Sequence, residues 1–159
     1  MELRKGERVY KIFHHHPTPF MFKTIRVMFM IFPFFFFLYL IRSSVSNSTF
    51  FWLNFTIFVV FALVMFYISF VYWMDRLVVT NQRVIYIDWR FLTVRHEVEA
   101  FLNDIQDIKT RENGVLSIFW LFDYGLFKLD TSSSRVTIVF EDAPDPEGVR
   151  RYIFHVKQQ

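Results

Sequence analysis

From Phe50 to Met74 the chain runs for 25 residues without a charge, broken only by Asn54, Thr56 and Ser69. As a helix this run reaches about 37 Å, more than the ~30 Å hydrocarbon core of a bilayer, and so predicts a span with some tilt. Trp52 near one end, and Tyr72 and Trp73 near the other, stand where an aromatic belt belongs. The segment ahead of it is less uniform. Val27 to Ile41 is uncharged but gives only about 22 Å; extension back to Phe20 reaches about 33 Å and takes in Lys23 and Arg26. Both lie near the end of the segment, where long basic side chains snorkel to the headgroups. Pro33 is expected to kink this helix. The pattern therefore predicts a transmembrane hairpin over 20–74, with spans 20–41 and 50–74 and a short Ser-rich connection. A cleaved signal peptide is disfavoured by the long basic leader and by Phe residues running to the end of the apolar stretch.

After Met74 the pattern changes to short alternating runs. Leu77-Val78-Val79 leads into the turn-like Thr80-Asn81-Gln82-Arg83, and Val84 to Trp89 resumes as strand. Val94, His96 and Val98 alternate with Arg95, Glu97 and Glu99, a strand with one wet face; His96 lies on the other, apolar face and is expected there as a hydrogen-bonded core residue. Ile105 and Ile108 bracket a polar segment ending at the turn signal Asn113-Gly114. Phe127 and Leu129 alternate with Lys128 and Asp130, and Ile138 and Phe140 follow after a Ser-rich turn. The chain then closes on a helix: Asp145 suits an N-cap, Pro146 the first helical position, and Val149, Tyr152, Ile153 and Val156 share one face. About six short strands capped by an amphipathic helix predict a small barrel or strongly bent sheet over 75–159. The fold class is thus α+β: a two-helix transmembrane hairpin, then a small β domain, with 1–19 as a basic leader.

Charge adds an orientation. Of the 18 Lys and Arg residues, six precede Val27 and one, Arg42, lies in the connection between the spans. That asymmetry predicts a connection facing outward and both termini in the cytoplasm. The remaining eleven are outnumbered by thirteen carboxylates after Met74, a poor footprint for nucleic acid.

Chemistry is sparse. The chain has no Cys, which excludes thiolate catalysis and Cys-based zinc sites, and its 4 Gly cannot build a phosphate-cradling loop. His14-His15-His16 lacks a carboxylate at ligand spacing and reads as interfacial. Glu97/Glu99 and Asp104/Asp107 read as surface charge, and neither span holds the Asp, Glu or His that a proton relay needs. Neither catalytic nor metal residues, cofactor nor small-molecule substrate is expected.

The order of motifs resembles a known family. Thr80-Asn81-Gln82-Arg83-Val84-Ile85 directly after the second span, Ile105-Gln106-Asp107-Ile108, Tyr124-Gly125 ahead of a strand ending at Thr131, and the Asp145-Pro146 helix are similar to the bacterial pleckstrin-homology-like domain of small YdbS-type membrane proteins. Gly6-Glu7-Arg8-Val9 and His16-Pro17 resemble that family's leader. The resemblance implies a β-barrel-like PH fold, a bacterial inner membrane and no catalytic residues. The expected function is a non-enzymatic, membrane-anchored binding or scaffold module that contacts a protein partner, the inner leaflet or another copy of itself. A small oligomeric two-span channel or a transport accessory subunit is the alternative. Leu116, Ile118, Phe119, Trp120 and Phe122 are the candidate membrane or partner contacts, and Asn54 and Thr56 the candidate helix–helix contacts.

Overall fold

The computed structural model describes residues 2–90, 93–112, 123–132 and 136–158. It divides into two units, Pro19–Phe70 and the combination of Met1–Thr18 with Val71–Gln159.

The first unit is helical. Helix α1 (Pro17–Leu40) begins with Pro at its first position, where no backbone N–H is needed, and continues through Pro33. Helix α2 (Asn47–Met74) starts where Ser46 Oγ accepts the backbone N–H of Thr49 at 3.2 Å, an N-cap that places the start three residues before the expected one. By length and composition both helices can cross a membrane. Their apolar side chains point outward: Phe29 is 74% exposed, Phe37 65% and Phe66 63%.

The second unit is a β domain. Strands β1 (Val9–His14), β2 (Arg76–Thr80), β3 (Arg83–Arg90) and β4 (Val94–Phe101) form one antiparallel sheet in that order. Strands β5 (Ile105–Glu112), β6 (Tyr124–Thr131) and β7 (Thr137–Pro144) form a second. Helix α3 (Pro146–Lys157) closes the domain. Strand β1 comes from ahead of α1, so the stretch expected as a basic leader supplies the sheet's first strand, and the helices are inserted between β1 and β2. Its register is fixed from Val9↔Thr80 to His14↔Arg76.

Central strands explain the continuous apolar runs. Leu77, Val79 and Val84 enter the main core with Phe127, Leu129, Ile138 and Phe140. Val78, Ile85 and Ile87 form a second buried cluster, with Trp89 packed against it. On α3, Asp145 adopts a left-handed φ of 41° and its Oδ1 accepts the Gly148 N–H at 2.8 Å. Val149, Ile153 and Val156 are buried and Tyr152 packs at the edge, as their spacing requires. Each fully buried aliphatic side chain contributes about 1.5–3 kcal/mol. The backbone carbonyl of Arg111 on β5 lies 2.1 Å from where a Cβ on Gly125 would stand, so Tyr124-Gly125 needs glycine for close strand approach.

One expected core residue is misplaced. His96 shares a face of β4 with Val98 and Ala100, but it is exposed, because only the latter end of the strand reaches the core.

Candidate functional site

Two clusters of polar side chains tie the β domain together, one at each end of β1. At the first end, the β2–β3 turn closes on itself through Thr80. Its Oγ1 accepts the backbone N–H groups of Gln82 and Arg83 at 3.2 and 3.0 Å. The same hydroxyl lies 2.8 Å from the Arg83 carbonyl and 2.9 Å from Glu7 Oε1, both of them acceptors. Arg83 is almost fully buried and grips Glu7 with both faces of its fork, Nε to Oε1 at 2.8 Å and a terminal nitrogen to Oε2 at 2.9 Å. The same guanidinium donates to the Glu2 carbonyl at 2.9 Å and pairs with Glu99. Glu99 therefore belongs to a partly buried network and is not simple surface charge.

This grip on Glu7 has an electrostatic signature. The Arg83 hydrogen bonds lower the Glu7 carboxyl from 4.5 to about 2, against the opposing effect of burial, and Glu7 raises Arg83 in return. Asn81 extends the fastening: its side chain accepts the Arg8 N–H at 2.8 Å and donates to the Gly6 carbonyl at 3.1 Å. The Thr80-Asn81-Gln82-Arg83 turn is thus a latch that holds residues 2–8 against the sheet.

The second cluster gathers where the chain leaves β1 for α1 and returns from α2 to β2. The His15 ring stacks between Tyr72 and Phe140, with centroids 4.9 and 4.8 Å away. Its Nδ1 lies 2.6 Å from the Glu141 carbonyl, which must accept, so Nδ1 carries a proton. That leaves Nε2 facing Asp75 Oδ2 at 3.6 Å, while Asp75 Oδ1 accepts the Trp89 backbone N–H at 2.7 Å. The Tyr72 hydroxyl donates to the His16 carbonyl at 2.5 Å, and the His16 N–H donates to the Asp142 carbonyl at 2.8 Å. Two successive carbonyls, Glu141 and Asp142, meet the successive residues His15 and His16 where Asp142 takes a φ of 53° and the β6–β7 register shifts. His16 stacks on Tyr124 at 5.7 Å, and burial lowers its pKa from 6.5.

His15 and His16 are therefore spent on fastening the domain, and among the described residues no group of His, Asp and Glu has metal-holding geometry. Asn54 Nδ2 and Thr56 Oγ1 donate to the carbonyls four residues back, Phe50 at 2.8 Å and Trp52 at 2.9 Å, within α2 itself. Leu116, Ile118, Phe119, Trp120 and Phe122 lie outside the described residues. Sequence reasoning missed Glu7 and Arg83 as partners, since charges 76 positions apart share no local period.

No curated protein matches the chain. Among solved structures it is similar to a DUF1696 family protein with a pleckstrin-homology domain from Shewanella loihica PV-4. That likeness has 21% identity and a TM-score of 0.41, and covers 52% of this chain and 70% of that one. The family model for the bacterial PH domain matches residues 30–157. With most of its length so matched, the chain belongs to the bacterial PH domain family.

Proposed function

We propose that this chain is a membrane-anchored, non-enzymatic PH-like module, its two helices crossing the inner membrane and its β domain in the cytoplasm. The observation that carries this reading is the pairing of β1 with β2 across the inserted helices. Residues before α1 and after α2 share one sheet, so they occupy one compartment, which requires an even number of crossings between them. Two outward-apolar helices supply that number. Six basic residues ahead of Val27 against one in the connection favour the cytoplasm for the shared side.

The domain's work is contact with a protein partner or the inner leaflet. Membership in a family of binding domains supports a binding role, and the buried polar clusters serve the fold rather than a reaction. Leu116, Ile118, Phe119, Trp120 and Phe122 are the contact residues in this reading. Their segment joins β6 at Tyr124, whose ring stacks on the His16 that precedes α1.

The absence of Cys makes the topology directly testable. Ser46→Cys should react with a membrane-impermeant maleimide on intact cells, and Ser132→Cys only after permeabilisation. The opposite pattern reverses the orientation, and equal labelling of both on intact cells refutes it.

A further inference from the structure

Strand β4 is the last strand of the first sheet, so half of its backbone N–H and C=O groups point away from β3. Its ladder with β3 runs from Arg83↔Phe101 to Arg90↔Val94 without a register shift, which keeps the outer edge regular along the whole strand. The second sheet ends on β5, a poorer edge. The β5 ladder shifts between Ile105 and Asp107, and Lys157 Nζ of α3 already donates to the Ile105 carbonyl at 2.9 Å. Charged side chains on an edge strand guard it against indiscriminate pairing, and their pattern decides which partner is admitted.

On β4 that pattern is complementary to itself. Val94-Arg95-His96-Glu97-Val98, read backwards, keeps its valines and its histidine and exchanges Arg for Glu. Laid antiparallel against a second copy with His96 facing His96, Val94 meets Val98 and Arg95 meets Glu97, each contact occurring twice. Moving the centre of pairing by one residue either way sets Glu97 against Glu97 or Arg95 against Arg95, so charge favours one register. Glu99 is already held by Arg83. The segment is accessible: Val94 is 42% exposed, His96 and Glu97 are exposed, and the Arg95 side chain is half-buried. Within one chain Arg95 and Glu97 pair with each other, so both are charged and aligned along this edge.

We infer that β4 pairs edge to edge with β4 of a second copy, antiparallel about a two-fold axis through His96. That axis is perpendicular to the sheet, so both copies turn the same sheet face to the same side, compatible with insertion of both in one membrane in one orientation. Five paired residues are few against the roughly 20–30 per side of a stable free interface. Confinement of both copies to a bilayer supplies the effective concentration that so small a contact needs. The inference rests on the partner reading above and names the partner as a second copy of the chain.

The test is energy transfer between full-length chains labelled at Ser132→Cys, in vesicles of dioleoylphosphatidylcholine. Transfer above the level of random mixing is expected for the otherwise unchanged chain. Arg95→Glu alone opposes Glu97 of the second copy, and Glu97→Arg alone opposes Arg95. Each should weaken association about tenfold or more, because both symmetric contacts are lost at once. Mixing these two variants sets opposite charges across the axis again and should restore transfer. His96→Arg and His96→Glu repeat the test at an exposed position, each associating weakly alone and strongly when mixed. Random-level transfer by the unchanged chain would overturn the inference, as would reversals without effect, or a loss that mixing restores at neither position. Association insensitive to these four substitutions would remove β4 as the surface while leaving a protein partner, so that failure is distinguishable from failure of the partner reading.

Discussion

The helical unit and the β domain turn similar residues in opposite directions. In α1 and α2 the large apolar side chains face outward, and on α2 Asn54 and Thr56 turn back onto their own helix, to the carbonyls of Phe50 and Trp52. In the β domain the apolar side chains face inward, and a buried polar residue such as Thr80 reaches across to Glu7, 73 positions away. An outward apolar surface suits a solvent of lipid, whereas an inward one suits water. On the membrane reading proposed above, the difference teaches that one chain is written for two solvents, with the switch at both ends of the inserted helices.

The largest single-residue effect should come from the inward core. Ile153→Asp places an unpaired charge against the sheet and should cost several kcal/mol, a large part of a typical total of ~5–15. Phe66→Asn, a polar change at a 63%-exposed site, should leave the domain's melting unchanged while lowering membrane insertion. Thermal unfolding and membrane fractionation measure the two. Loss of domain folding by the Phe66 variant would erase the contrast.

Next is the latch. Glu7→Gln leaves the buried Arg83 with Glu99 as its one remaining counterion among the described residues and should cost about 3–5 kcal/mol in melting experiments, as broken buried pairs do. The same pair sets a pH dependence. Glu7 is lowered on folding, so its contribution is complete above the unfolded value near 4.5 and is lost as pH falls towards about 2. That swing amounts to about 3 kcal/mol. Acid unfolding of the parent should therefore steepen in this window, and Glu7→Gln should flatten it.

Not all of this was equally legible. Helix α3 could be read because its cap and its apolar stripe are local, from Asp145 to Val156. Strand β5 was hidden because its ladder shifts between Ile105 and Asp107, which places Ile105 and Ile108 three apart and breaks the period of two. Strand β1 was hidden because Val9–His14 is exposed except at Phe13, so burial wrote no alternation into it. Its partner also lies beyond two helices. The family resemblance reached the PH-like domain but could not reveal Arg83's partners, which come from the folded-back leader.

Smaller effects refine the comparison. Asp145→Ala removes a cap and should cost about 1 kcal/mol in thermal melts. Asn54→Ala removes a bond that α2 makes only to itself and should shift domain stability by less than about 0.5 kcal/mol. A larger shift would assign Asn54 to a contact beyond its own helix, as a helix–helix role requires.

The central claim is that one PH-like domain is built from both sides of an inserted pair of helices. Its most direct test removes residues 17–73 and joins His16 to Met74 with a short Asn-Gly-containing turn, since His14 and Arg76 already pair in register. The joined protein is expected to be soluble without detergent and to melt cooperatively, while 74–159 alone, lacking β1 and Glu7, is expected to melt many degrees lower or not fold. Equal melting of the two proteins would contradict the claim, because β1 and its latch would then contribute nothing to the domain.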